Sequence, residues 1–327
     1  MKATATANSN TALVKYWGKY DEKLILPMNG SISLTVDKLS TATTVEFSKD
    51  YRQDAIELNG KTAEGREKER IAGHLDLIRK ISKSREKARV VSKNNFLTAA
   101  GLASSASGFA ALTVAACDAA GLDLDKKNLS IIARQGSGSS CRSIFGGYVE
   151  WVAAKTSEKS YAKQIADENH FDVRDIAVVV EAAKRRYTTR ESMQASVKTS
   201  PYYGAWLKAA GSDLESMRKA VIGKDFTLAG RTAELNSLMM HATALTTTPT
   251  ILNWSAATIS IMHAVQDWRA EGLECYYTID TGAHVHILSL PGNSKEIVKR
   301  VKLIEGVTDV IENRPGKGAE IVNEHLF

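Results

Sequence analysis

Four stretches of this chain combine residue types suited to holding anions. The first runs from Leu97 to Gly108 and consists almost wholly of small residues. Gly101 lets a ligand approach the backbone, and Leu102 and Ala103 continue the turn. Ser104 or Ser105 is placed to cap the alanine-rich segment that follows. The first-turn N–H groups of a helix lack partners and carry the positive end of its dipole, so they attract phosphate oxygens. The second stretch, Gly136 to Ser143, repeats this character in Ser137, Gly138 and Ser139 and adds Arg142. The third places Lys15, Tyr16, Trp17, Gly18 and Lys19 in a row. In the fourth, Asp280 ends the β-like run from Tyr276 and precedes the Thr281-Gly282 turn. Together they predict phosphate binding in at least two places with one acid nearby. Taken singly they read more plainly: a small-residue turn can be tight packing, and an aspartate before glycine is often a turn residue.

Bulk properties narrow the class. The 327 residues are 43% hydrophobic and 24% charged, which excludes a disordered or fibrous chain. No apolar run approaches the roughly 18 residues that span a bilayer, and the start of the chain lacks a signal-peptide pattern. A cytoplasmic location is the expectation. Three widely spaced cysteines, Cys117, Cys141 and Cys275, form neither a disulfide framework nor a metal motif. Cys117 is expected to pack in the helix after the first loop. Cys141 flanks the second loop, a position that would expose it, but no base adjoins it to make a nucleophile. The net charge of +6 favours an anionic partner. The basic residues are mostly scattered, which speaks against nucleic acid. Of the two local clusters, Arg79 to Arg89 is interrupted and reads as the solvated face and exit of a helix, and Lys184 to Arg186 is short.

The elements that must position these residues follow from periodicity. Strands are predicted at 31–36, 43–47, 146–151, 175–180, 275–279, 285–290 and 309–312. Asn59-Gly60 signals a tight turn. Helices are predicted at 67–81, 104–120, 127–135, 191–210, 212–222, 225–241, 255–271 and 294–304. The reading is α+β, in two closely packed lobes, residues 1–170 and 171–327. No flexible linker joins them.

At these residues the chain resembles the GHMP kinase superfamily. Gly101-Leu102-Ala103-Ser104-Ser105-Ala106 is similar to its ATP-binding loop. Lys15 to Lys19, Gly136 to Arg142 and the Asp280 turn together resemble the mevalonate diphosphate decarboxylase and phosphomevalonate decarboxylase branch. The resemblance covers about residues 10 to 290. It implies a βαβ-rich N-terminal lobe packed on a ferredoxin-like C-terminal lobe, with the site between them. It implies ATP and Mg²⁺, and a small-molecule substrate, a 5-phosphorylated mevalonate. That substrate is phosphorylated on its 3-hydroxyl and then loses phosphate and carbon dioxide. Asp280 would be the base for, or orienter of, the hydroxyl. Arg142 would hold the substrate carboxylate, with Lys15 a positive charge beside both. Tyr16, Lys19, Ser137, Gly138 and Ser139 would hold the 5-phosphate end, joined by Thr189 and Arg190. Gly101, Leu102, Ala103, Ser104, Ser105 and Arg185 would serve the nucleotide phosphates, and Trp17 would be a wall. The family is often dimeric, so a homodimer is an expectation, although no apolar stripe in the sequence marks an interface.

Departures from the family pattern bear on the substrate. Leu97 replaces a proline before the ATP loop, and Arg185 stands where the family has a lysine. Asp280-Thr281-Gly282-Ala283-His284 and Asn253-Trp254 resemble phosphomevalonate decarboxylases, which take the 5-monophosphate to isopentenyl phosphate. The Lys15 to Lys19 block points instead to the 5-diphosphate and isopentenyl diphosphate. The first reading is preferred here and the second is its alternative. A mevalonate 3-kinase without decarboxylation ranks lower, because Asp280 and Arg142 are both retained. A non-catalytic phosphate binder on the same scaffold ranks lower still.

Overall fold

A computed structural model describes residues 1–96, 104–181 and 186–327. Leu97, Gly101, Leu102, Ala103 and Arg185 lie outside the described residues. In chain order the strands are β1 (Lys2–Val14), β2 (Lys19–Asp21), β3 (Leu26–Pro27), β4 (Ser31–Ser48), β5 (Ala55–Leu58), β6 (Lys61–Thr62), β7 (Lys87–Asn94), β8 (Tyr148–Trp151), β9 (Ala162–Ala166), β10 (Arg174–Val180), β11 (Cys275–Ile279), β12 (Val285–Ser289), β13 (Val307–Asn313) and β14 (Glu320–Val322). The α-helices are α1 (Gly65–Ser82), α2 (Ser104–Ala119), α3 (Lys126–Gly136), α4 (Thr189–Thr199), α5 (Tyr203–Gly223), α6 (Phe226–Leu245), α7 (Ala256–Ala270) and α8 (Pro291–Val301). A 3₁₀ segment covers Gly138–Ile144.

The first sheet is ordered β14-β1-β4-β7-β5-β6, with β8 and β9 added beside β4. Its parallel pair is β5 with β7, joined across α1 in a βαβ unit. Strand β1 was not expected from its Ala/Thr/Asn/Ser composition. It forms because Ala3, Ala5 and Ala7 alternate onto the buried face beneath α2, whose own alanines 110, 111, 115 and 116 are fully buried. Small residues on both surfaces bring helix and sheet close together. The two strands expected at 31–36 and 43–47 are one continuous β4. The exposed Asp37-Lys38 pair between them sits at a register irregularity against β1.

The second sheet is ordered β11-β12-β10-β13 and is antiparallel throughout, the βαββαβ arrangement of a ferredoxin-like lobe. Its two faces follow the period of two. Ile176, Val178, Tyr277, Ile279, Val285 and Ile287 pack on α7 and α8. Ala177, Tyr276 and Leu288 turn the other way and share a core with Leu13, Val14, Ile32 and Leu34 of the first sheet. Asp280, three residues past Tyr277, therefore leaves β11 on the side that meets β1. Near the C-terminus the chain returns to the first sheet, where β14 pairs with β1.

Two further expectations need correction. The helices placed at 191–210 and 212–222 divide instead at Ser200-Pro201. Proline lacks an N–H and disfavours helical geometry in the residue before it, whereas Gly211 is carried inside α5. Arg79 is not solvated charge. It is buried and paired with Asp54 and Asp76. Among the described residues, no helix is long and apolar enough to cross a membrane.

Candidate active site

A cavity of about 460 Å³ lies where the two sheets meet. The sequence-predicted residues Lys15, Tyr16, Lys19, Ser104, Ser105, Ser137, Gly138, Ser139, Arg142, Thr189, Arg190 and Asp280 all line it. Trp17 lines it too, but is buried among Met193, Tyr203 and Trp206.

At its base, Lys15 Nζ lies 2.6 Å from Asp280 Oδ1. Lys15 is 2% exposed, while 30% of the Asp280 side chain remains open to the cavity. Burial lowers the Lys15 ammonium from its usual value, and Asp280 only partly offsets this. For Asp280, burial pushes upward, but Lys15, His286 and Arg142 together outweigh it and hold the carboxyl below the usual range. Asp280 is therefore a carboxylate near neutral pH.

The pair is fixed from behind. Lys15 Nζ also donates to the Ala12 carbonyl at 2.8 Å, and the Lys15 N–H donates to Asn236 Oδ1 at 2.8 Å. On the same helix α6, the Ser237 hydroxyl donates to the Ile279 carbonyl and accepts from the Ile279 N–H. The Thr281 carbonyl accepts from Asn253 Nδ2 at 2.8 Å. One helix and one loop thus hold the backbone on both sides of Asp280.

Arg142 comes from the 3₁₀ segment and is 3% exposed. Its guanidinium donates to Ser31 Oγ at 2.6 Å, Ser33 Oγ at 2.9 Å and Asn10 Oδ1 at 3.1 Å. These acceptors are neutral, and among the described residues no carboxylate forms an ion pair with Arg142. Burial lowers its pKa, opposed by Cys141 and then Asp280. A buried cation set among neutral acceptors retains its charge for an anionic ligand.

Two helix N-termini supply further anion-binding geometry. Ser104 and Ser105 open α2. Thr188 caps α4 in a reciprocal box with Glu191, which places Thr189 and Arg190 in the first turn facing the cavity. Among the described residues, the buried Tyr16 hydroxyl has no hydrogen-bond partner. Lys19 differs, since it already pairs with Glu22 at 2.6 Å. Gly138 is required: a Cβ there would stand 2.8 Å from the Tyr16 ring.

Sequence reasoning missed Arg66 and Arg70, which line the cavity from α1. Their i,i+4 spacing places them together on one face, a signal lost among the helix's other charges. It also missed Asn10, which anchors Arg142. Cys141 is fully buried rather than exposed, and burial pushes its thiol up to about 12, so it is inert.

A ferredoxin-like lobe on a larger mixed lobe, with a cation-lined cavity at their junction, defines the GHMP kinase class. Comparison with known proteins narrows this. Residues 7–162 match the diphosphomevalonate decarboxylase-like N-terminal domain, and residues 176–322 match the mevalonate 5-diphosphate decarboxylase C-terminal domain. Human diphosphomevalonate decarboxylase is 37% identical over 320 residues, covering 91% of this chain and 79% of its own. The mevalonate diphosphate decarboxylase of Staphylococcus aureus superposes with a TM-score of 0.94 at 39% identity, covering 98% of each chain. A structure described as MDDEF in complex with MVAPP, AMPPCP and magnesium gives 0.93 at 37% identity, covering 98% and 99%. The chain belongs to the diphosphomevalonate decarboxylase family of the GHMP kinase superfamily. It is an enzyme of the ATP-dependent carboxy-lyase class.

Proposed function

We propose that this enzyme converts mevalonate 5-diphosphate and ATP to isopentenyl diphosphate, carbon dioxide, ADP and phosphate. The relatives favour this second sequence reading over the monophosphate, which was preferred from the Asp280 to His284 turn. The observation that carries the proposal is the charge of the cavity. Among the described residues, Lys15, Lys19, Arg66, Arg70, Arg142 and Arg190 line it against one carboxylate, that of Asp280. Such an excess suits a substrate with both a carboxylate and a diphosphate, bound beside a nucleotide triphosphate. The family matches, ending at 162 and resuming at 176, support two lobes divided near 170.

Asp280 accepts the hydrogen bond of the 3-hydroxyl. Its low basicity delays proton transfer until the hydroxyl oxygen bonds to phosphorus and the bond to ADP breaks. The 3-phosphate then departs with the C–O electron pair. The electrons of the bond to the carboxylate form the new double bond, and carbon dioxide leaves. Arg142 grips the carboxylate by its guanidinium fork and orients the bond that breaks. Tyr16, Lys19, Ser137, Gly138 and Ser139, with Thr189 and Arg190, hold the 5-diphosphate. Ser104 and Ser105, at the start of α2, hold nucleotide phosphates.

Among the described residues no group of three or more His, Cys, Asp or Glu could cage a metal. The single cavity carboxylate therefore fits Mg²⁺ carried on phosphate oxygens, where it would neutralise their charge. A cytoplasmic placement belongs to the same proposal, supported by three buried free thiols.

The test is the ratio of kcat/KM for mevalonate 5-diphosphate to that for mevalonate 5-phosphate. The proposal expects the diphosphate to be favoured at least tenfold, since one further charge-assisted contact contributes about 1.5–3 kcal/mol. A ratio at or below one would return the chain to the monophosphate reading.

A further inference from the structure

Behind the Lys15–Asp280 pair lies a buried carboxyl–imidazole pair, for which the reaction described above has no use. Asp175 on β10 is fully buried and His286 on β12 is 6% exposed. His286 Nδ1 stands 2.9 Å from Asp175 Oδ1 and 3.2 Å from Oδ2. The Thr11 hydroxyl of β1 donates to Asp175 Oδ2 at 2.7 Å. Asn313 Nδ2 on β13 donates to the Asp175 carbonyl at 3.1 Å.

The strand registers tie this pair to the active site. His286 is the cross-strand partner of Thr278 on β11, two residues before Asp280 and on the same face. The Thr278 hydroxyl donates to the Ala12 carbonyl at 3.3 Å, the same oxygen that accepts from Lys15 Nζ. Thr11, held by Asp175, adjoins Ala12. The seat of the Lys15 ammonium is thus held from one side through Thr11 and from the other through Thr278.

We propose that Asp175 and His286 are a positioning pair for the active site. They fix the Thr11-Ala12 backbone on which Lys15 rests, and they supply Asp280 with a second buried countercharge. The groups facing His286 are Asp175 from β10, Asp280 from the end of β11 and Lys15 from the end of β1. Those facing Asp280 are Lys15, His286 and Arg142. Burial lowers His286, but Asp175 and then Asp280 outweigh it, so its imidazole titrates above the ordinary value. A protonated His286 then lies between the carboxyl groups of Asp175 and Asp280, with Lys15 on the far side of Asp280. An imidazolium there favours the ionised form of Asp280 that the hydroxyl needs, so the pair's catalytic effect rests on the proposed role of Asp280.

The experiment follows the His286 ring by NMR through a pH titration, in the full-length enzyme and in Asp280→Asn. Loss of the carboxylate should lower the His286 midpoint by roughly one pH unit, the size expected for a partly screened neighbouring charge. An unchanged midpoint would overturn the proposal, and this readout does not depend on which substrate is turned over. In parallel, the acid limb of kcat should move to higher pH in His286→Gln and return in His286→Lys, with KM little changed. Equal loss of activity at every pH in both variants would leave His286 a merely structural residue and contradict the assignment.

Discussion

Lys15 and Asp280 are 265 positions apart in sequence and 2.6 Å apart in space. The contact joins the end of β1 in one sheet to the end of β11 in the other, so the pair, with the acid proposed to meet the 3-hydroxyl, is assembled only when both lobes have packed. A buried ion pair contributes little net stability, because desolvation of both charges offsets their attraction. Its use here is functional: it keeps a partly buried carboxylate ionised beside a cavity whose other charged lining residues, among those described, are lysines and arginines.

Asp280→Asn should lower turnover by about 10²- to 10⁴-fold, the range for removal of a positioned base, with nucleotide affinity changed only a few-fold. It should also lower Tm, because Lys15 is left buried without its partner. Adding Lys15→Met to Asp280→Asn should recover most of that Tm without recovering activity. Calorimetry on the two singles and the double variant checks this. Additive losses would mean that the two groups do not act as a pair.

Arg142→Met separates stability from function in the opposite sense. It removes a buried cation held only by neutral acceptors, so Tm should be unchanged or higher. Decarboxylation should fall at least 100-fold, since loss of the carboxylate grip misaligns the bond that breaks. Thermal melts and carbon dioxide release give the two readings. A large drop in Tm with residual activity near normal would make Arg142 a structural arginine.

Arg66 and Arg190 line the cavity without an ion pair among the described residues. Replacing either with alanine should raise KM for the 5-diphosphate roughly tenfold or more, and raise it less for the 5-monophosphate. The rise should be greater for both substrates at low ionic strength. Steady-state kinetics at two salt concentrations reads this out. An equal rise for both substrates would place these arginines on the nucleotide.

Stability should weaken as pH falls from about 6.5 to 4. His74 and His241 are both buried, and burial lowers each to about 4. The unfolded chain takes up protons near the ordinary histidine value of ~6.5, whereas the folded chain resists until about 4. Each histidine thus contributes stability above 6.5 that is lost through this window, on the order of 3 kcal/mol. His286 acts oppositely. Its raised value contributes below the ordinary pKa and is lost as pH rises through its folded value. Chemical denaturation across pH 4–8 should show the acid slope, and His74→Asn should flatten it.

Much of the site was legible because its chemistry sits in turns that interrupt periodic segments. Lys15, Arg142 and Asp280 each stand beside such a turn, and all three line the cavity. What was hidden has physical reasons. Strand β1 is built of alanine and threonine, whose alternation carries no hydropathy contrast. Arg66 and Arg70 resemble solvent-facing charges until α1 is docked. Arg79 and His286 are buried by partners distant in sequence, Asp54 and Asp175, which periodicity cannot supply. The helix break at Pro201 was readable and was passed over in favour of Gly211, although proline is the stronger breaker.

The central claim is that phosphorylation and loss of carbon dioxide are coupled in one site. Its most direct test supplies the purified enzyme with ATP, Mg²⁺ and mevalonate 5-diphosphate, and measures ADP and carbon dioxide together. The account predicts equal amounts of both, with isopentenyl diphosphate identified by mass. ADP formed with a phosphorylated mevalonate and no carbon dioxide would contradict it and make the protein a 3-kinase.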